Sequence, residues 1–193
     1  MHQYAITNDH RVKVNYILAI LASLVCSAIA IMINDIISPT LNIALTPPST
    51  FAVYMLLFNL YDNFFWNIYP FNSLFKIPNY SGVWKGKLIK NRHNNGSEEM
   101  SNVTVTIKQN WSKISICLTG QTSDSRSQTA FIDCDGALPE LTYEYISKKR
   151  NRSETTIGIT RLILHSNEKI EGDFFSELSN KGPIVLAKVK IAN

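Results

Sequence analysis

No charge interrupts residues 16–33, and that one stretch decides most of what the chain can become. The hydroxyls of Tyr16, Ser23 and Ser27 are its only polar side chains. It forms the centre of an apolar segment, residues 14–37. At a rise of 1.5 Å per residue, roughly 20 such residues cross a hydrocarbon layer of about 30 Å. A second, less apolar segment covers residues 51–69 behind the helix-start signal Pro47-Pro48-Ser49-Thr50. The pattern then changes to short strands. The expected organisation is an N-terminal tail (residues 1–13), a two-helix transmembrane region (residues 14–72) and a β-domain (residues 80–193).

Basic residues flanking the apolar segments set the expected orientation. Arg11 and Lys13 precede the first segment, and Lys76, Lys85, Lys87, Lys90 and Arg92 follow the second. The connector, residues 34–50, has no Lys or Arg and one acid, Asp35. Both termini and the β-domain are therefore expected in the cytoplasm. Phe64, Phe65, Trp66, Tyr69 and Phe71 cluster where the second helix would leave the bilayer, as an interfacial belt requires. The competing reading is a secretory signal peptide. His10, Arg11 and Lys13 would be its charged end, residues 16–25 its apolar centre, and Ala28-Ile29-Ala30 its cleavage site. Against it, the apolar run continues through Ile31-Met32-Ile33, and the second segment is left unexplained. Sequons at Asn79, Asn95, Asn102, Asn110 and Asn151 suit an exported domain, but a chain rich in Asn, Ser and Thr yields them by chance. Cys26 lies inside the first segment. Cys117 and Cys134 lack metal-ligand or CxxC spacing, so they are expected as buried free thiols or as one disulfide.

Asn59, Asp62, Asn63 and Asn67 recur at helical spacing, a polar stripe on an otherwise apolar second helix. An acid inside a membrane costs a few kcal/mol and generally faces water or a partner. Two explanations stand at this point. Asp62 and Asn67 reach the cytoplasmic interface, or the stripe packs against the first helix or against copies of itself.

From residue 80 onward, eight strands are expected, at residues 80–90, 103–107, 114–118, 128–134, 141–147, 156–166, 169–175 and 183–191. There is no βαβ repeat. Eight short antiparallel strands bury their edges best by closing into a small barrel, so the fold class is a membrane-anchored all-β protein. Residues 91–101 and 120–127 read as loops, and Lys148-Lys149-Arg150-Asn151-Arg152 as a basic turn, solvated or attracted to an anion. Arg11, Lys13 and Lys76 are offset by Asp9, Asp35 and Asp62, so the net charge of +4 lies in the β-domain. That permits an anionic ligand and excludes little. Three strand faces would line the barrel if they point inward, which parity alone does not decide: Gly82, Trp84, Gly86 and Leu88; Gly158, Thr160, Leu162 and Leu164; Gly182, Ile184, Leu186 and Lys188. Their small residues leave space at one end of the barrel, expected near Trp84 and Lys188.

The order of Ser81-Gly82-Val83-Trp84-Lys85-Gly86, the strand 158–164, Ile170-Glu171-Gly172-Asp173-Phe174-Phe175 and the strand 181–188, behind a two-helix anchor, resembles a known family. It is that of the two-transmembrane, β-strand-rich effectors of bacterial cyclic-oligonucleotide (CBASS) anti-phage defence. The resemblance implies a minimal barrel that binds a cyclic nucleotide messenger made by a partner synthase. It further implies oligomerisation on binding, disruption of the bacterial inner membrane by the helices, and abortive infection. Such a ligand carries phosphates and flat bases, so its site needs cations, donors and stacking surfaces. Arg161 and Lys188 are candidate phosphate partners, Thr160 a donor, and Trp84, Tyr143 and Tyr145 candidate base platforms. Each has a plainer role open to it, as barrel core, solvated charge or snorkelling strand end.

No nucleophile motif, Walker loop, dinucleotide fingerprint or HExxH site occurs, and His2, His10, His93 and His165 are scattered, so neither catalysis nor a metal is expected. Nothing points to a DNA or RNA polymer. Two other classes remain: a tethered barrel that captures a lipid or other hydrophobic small molecule, and a subunit whose barrel docks a protein. An inward Lys188 would count against the first, and a filled barrel with an exposed apolar patch would favour the second.

Overall fold

The computed structural model describes residues 1–7, 11–37, 48–72, 77–92, 98–150, 154–166, 168–177 and 180–189. The centre of the connector between the apolar segments, part of the loop at 91–101, Arg152 of the basic turn, His10 and His93 lie outside them. The chain divides into two compact units: Asp9–Phe75, and Met1–Asn8 together with Lys76–Asn193.

The first unit holds two helices packed on each other, α1 (Arg11–Met32) and α2 (Thr50–Asn63). Helix α1 continues as a π-helical turn, Ile33–Ile37. Val14, Leu18 and Ala22, four residues apart, are its buried line, while Tyr16, Ile20, Leu24 and Ile31 are exposed. The hydroxyls inside the apolar run are satisfied locally: Ser23 Oγ donates to the Ala19 carbonyl (3.1 Å) and Ser27 Oγ to the Ser23 carbonyl (2.9 Å). Helix α2 starts as its signal requires, Ser49 Oγ accepting from the Ala52 N–H at 3.2 Å. It does not run to residue 69. It stops at Asn63, and Phe65–Asn67 form a 3-10 turn. Successive aromatic residues are mediocre helix formers, and Phe64 leaves helical geometry at φ −124°. Fourteen residues span about 21 Å, short of a hydrocarbon core of about 30 Å. Among the described residues, only Arg11–Asp35 is long and apolar enough to cross a membrane as one helix.

The second unit is the barrel. Two short strands, β1 (His2–Gln3) and β2 (Ala5–Ile6), precede α1 in the chain, and eight long ones follow α2. These are β3 (Gly82–Arg92), β4 (Glu98–Gln109), β5 (Lys113–Thr119), β6 (Ser123–Asp133), β7 (Glu140–Lys149), β8 (Thr155–Ser166), β9 (Lys169–Ser176) and β10 (Asn180–Lys188). The eight run antiparallel in the order β5-β4-β3-β10-β9-β8-β7-β6 and close where β6 meets β5. Closure removes the sheet edges that would otherwise invite pairing with another chain. Strand β6 begins within the stretch read as the loop 120–127, because Ser123, Ser125 and Ser127 take the inward positions, Asp124 and Arg126 the exposed ones, and only residues 120–122 are needed for the turn.

The closing pair is short. Strands β5 and β6 match only at Cys117–Arg126, Leu118–Ser125 and Thr119–Asp124. Beyond that they separate, and the N-terminal segment fills the gap. His2–Gln3 pairs antiparallel with β5, and Ala5–Ile6 pairs parallel with β6. Tyr4 is 2% exposed and packs with Trp84, Ile107, Ile132 and Leu141 in the barrel core. Residues 2–6 are thus strands of the barrel unit where only a tail was expected. The three described cysteines are unpaired, and Cys117 is exposed rather than buried, since it faces outward from β5.

Candidate functional site

Parity along each strand separates inside from outside. Trp84 and Leu88, Tyr143 and Tyr145, Thr160 and Leu162, and Ile184 and Leu186 are all buried inside. What distinguishes the ends is how far the apolar run extends.

At one end the barrel is filled. Trp84 is fully buried, its indole N–H donating to the Tyr80 carbonyl at 2.9 Å. Lys188 is its register partner on β10 and lays its ammonium 5.2 Å from the Trp84 ring centroid. The Lys188 stem covers Gly82, whose φ of +140° suits glycine, and a Cβ there would stand 2.8 Å from Lys188 Cε. Tyr80 completes this packing, and burial pushes its hydroxyl far above the ordinary tyrosine value. The space expected near Trp84 and Lys188 is occupied by these side chains.

At the other end the barrel is open. Leu88, Leu118, Phe174 and Ile184 floor a cavity of about 120 Å³. Its wall is hydroxyl-rich: Ser123, Ser125, Ser147, Thr156, Thr160 and Ser176, with Asn180, Tyr145, Lys90 and Lys149. Lys149 is neutralised by Glu154 at 2.6 Å, whereas Lys90 has no acidic partner among the described residues. Tyr143 and Thr160 are opposite one another on β7 and β8, as are Tyr145 and Gly158. The Tyr145 phenol lies over Gly158, and a Cβ on that glycine would stand 2.4 Å from the ring tip and 2.3 Å from the Phe175 carbonyl. One long hydrogen bond, Tyr145 Oη to the Phe175 carbonyl at 3.4 Å, holds the hydroxyl. The rings of Tyr143 and Tyr145 stand 6.3 Å apart and tilted. Burial pushes both hydroxyls up to about 12, the nearby Thr160 hydroxyl partly opposing this at Tyr143. Both phenols are therefore neutral donors at neutral pH.

Of the residues singled out in the sequence, the fold brings Tyr143, Tyr145 and Thr160 together, with Tyr145 and Thr160 lining the cavity. Trp84 and Lys188 stand together at the filled end. Arg161 points outward and forms a two-pronged ion pair with Glu140. In the helical unit the polar stripe divides. Asp62 is buried, while Asn59 and Asn63 are exposed and bonded to each other, Asn63 Nδ2 donating to Asn59 Oδ1 at 2.8 Å. Asn67 is exposed in the 3-10 turn.

Lys90, Ser147, Ser176 and Asn180 went unnoticed, although the signal was there. Each continues an inward face beyond its last apolar member: Leu88 to Lys90, Tyr145 to Ser147, Phe174 to Ser176, and Ile184 past Gly182 to Asn180.

A closed barrel with one packed end and one hydroxyl-lined, cationic mouth belongs to the class of small-ligand receptors. Residues 75–188, more than half of the chain, match the family described as Cap15, cyclic dinucleotide receptor domain. The chain belongs to this family of CBASS effectors. The ligand its description implies is a cyclic dinucleotide, and no group of side chains that could hold a metal ion occurs among the described residues. No curated protein matches the chain.

Proposed function

We propose that the open mouth of the barrel binds a cyclic dinucleotide and that binding drives membrane disruption through the helical unit. The observation that carries this is the mouth itself, where Lys90, with no acidic partner among the described residues, joins a hydroxyl wall, the neutral Tyr145 phenol and an apolar floor. A phosphate needs a cation and donors, and a base needs a flat apolar partner. Tyr145 and Thr160 serve as base platform and donor, and Lys90 takes the phosphate role. Arg161, tied to Glu140 outside, and Lys188, engaged with Trp84, serve the wall and the filled end. Ligand pockets typically hold about 300–1,000 Å³, so the cavity of about 120 Å³ takes part of the ligand and the rim takes the rest. A hydroxyl-lined mouth with a free cation suits this ligand better than a lipid.

The helical unit supports the second half of the proposal. Tyr16, Ile20, Leu24, Ile31, Phe51, Met55 and Leu56 are exposed on α1 and α2, an apolar surface that water does not tolerate and lipid does. In this reading α1 and α2 anchor the protein in the bacterial inner membrane, with the barrel in the cytoplasm. The messenger comes from a cyclic-nucleotide synthase, the occupied receptors assemble, and the helices breach the bilayer to end the infection. Thermal stability of the full chain in detergent, read against a panel of cyclic dinucleotides, tests the receptor half. A selective rise with one compound supports it, its size following concentration over affinity. A flat response across the panel from folded protein sinks it. Dye release from vesicles carrying the protein, measured with and without that compound, tests the other half.

A further inference from the structure

The family match begins at residue 75 and leaves the first residues of the chain outside it. Yet residues 2–7 are built into the barrel wall. Their backbone pairs with both strands of the seam, His2 opposite Ile114, Gln3 opposite Lys113, Ala5 opposite Phe131 and Ile6 opposite Ile132. The Thr7 N–H donates to the Ile132 carbonyl at 3.0 Å, and Thr7 Oγ1 to Asp133 Oδ1 at 3.0 Å. Side chains complete the fit. Tyr4 is buried in the core, with its hydroxyl 3.3 Å from the Asn110 carbonyl. At the point where β5 and β6 part, the buried Ser127 Oγ accepts the Ile116 N–H at 3.0 Å and bonds His2 Nε2 at 2.8 Å.

We propose that residues 2–7 are a working strand of the receptor domain, a strap that seals the β5–β6 seam within one chain. Two consequences follow from the connectivity. Only three residues separate Thr7 from Arg11, the first residue of α1, so the strap is the chain's link from that helix to the same two strands whose turn end, at Leu118, Ser123 and Ser125, lines the cavity. And because residues 2–7 and the strands after residue 77 fold together, a membrane crossed by α1 must be crossed back before residue 77. The strap's placement is independent of the ligand. Its value as a link to the cavity rests on the cavity being the receptor site.

Gln3 and Lys113 stand directly opposite, within reach of a disulfide. The test is Gln3→Cys with Lys113→Cys in the full chain, in membranes, with Cys26, Cys117 and Cys134 replaced by Ala. Mild oxidation should give a disulfide within one chain, seen by mass spectrometry of the linked peptides and as a monomer on a non-reducing gel. The control pair Gln3→Cys with Lys87→Cys should stay reduced. Failure of the first pair to link, or linkage only between copies, overturns the proposal. Ile6→Asp supplies the second measurement. Amides of β5 and β6 should exchange with deuterium about tenfold faster or more, those of β8 to β10 remaining protected. A rise across the whole barrel supports the sealing role equally, since loss of a dispensable tail unfolds nothing. Unchanged exchange in β5 and β6 overturns that role. Neither readout involves a nucleotide, so a failed strap and a failed receptor site give different results.

Discussion

The two ends of the barrel are made from the same eight strands and differ in what their inward faces carry. At the filled end, Trp84 is fully buried and bonded to the Tyr80 carbonyl, and Lys188 sets its ammonium over the Trp84 ring. At the mouth, the same faces turn to serine, threonine, asparagine and Lys90 around a cavity. Buried apolar area stabilises a fold, while hydroxyls left facing a cavity contribute little to it and bind ligand instead. The end that holds the barrel together and the end proposed to bind the ligand are therefore expected to respond to mutation in opposite ways.

The largest effect should come from the filled end. Trp84→Ala removes one of the two largest fully buried side chains among the described residues and the ring on which Lys188 rests, and should cost about 3–5 kcal/mol in urea unfolding of the full chain. A loss below about 1 kcal/mol would break the comparison, because surface positions behave that way.

Gly158→Ala comes next. Its Cβ would meet the Phe175 carbonyl, which is backbone and cannot swing aside, as well as the Tyr145 phenol. A destabilisation of about 1–3 kcal/mol is expected from such overpacking. Adding Tyr145→Ala to this variant should recover only part of the loss, since the carbonyl contact remains. Full recovery would mean that Gly158 serves the tyrosine alone.

Much of this division was legible in the residues themselves. Strict alternation at 103–107 and 114–118 placed two strands and the turn between them, and parity grouped Thr160 with Leu162 and Leu164, and Tyr145 with Tyr143 and Leu141, though which face points inward came only from the fold. Which end is open was not legible, because it depends on strand stagger, and stagger decides whether Trp84 or Leu88 meets the space. The strap was hidden for another reason. Two-residue strands such as His2–Gln3 carry no period, and their partners lie more than a hundred residues away. The second apolar segment misled by composition. Its aromatic residues continue past Asn63, but its helix does not.

Lys90→Ala should separate the two roles most cleanly. With no acidic partner among the described residues to leave behind, its loss should change stability by no more than about 0.5 kcal/mol. It should weaken cyclic dinucleotide binding about tenfold by titration calorimetry, the worth of one charge-assisted hydrogen bond. Added salt should weaken binding by the original protein more than by the variant. Equal affinity in both would move the phosphate contact elsewhere on the rim.

The smallest effect belongs to the ion pair beside the mouth. Arg150 grips Asp124 through two hydrogen bonds, of 3.1 and 2.8 Å, tying the residue that follows β7 to the start of β6. Both side chains are about half exposed, so the pair should contribute no more than about 1 kcal/mol. Its sign with pH is fixed all the same. The Arg150 hydrogen bonds hold the Asp124 carboxyl below its usual value. Its stabilisation is therefore complete above the unfolded carboxylate value, about pH 4, and is lost as pH falls through the folded value. Asp124→Asn should lower the melting temperature slightly at pH 7, and the gap should close on acidification. A gap that stays constant with pH would mean that the side chain acts through packing rather than charge. A large fall in melting temperature at pH 7 would mean that the mouth, like the filled end, is held rigid, and the contrast between the two ends would lose its basis.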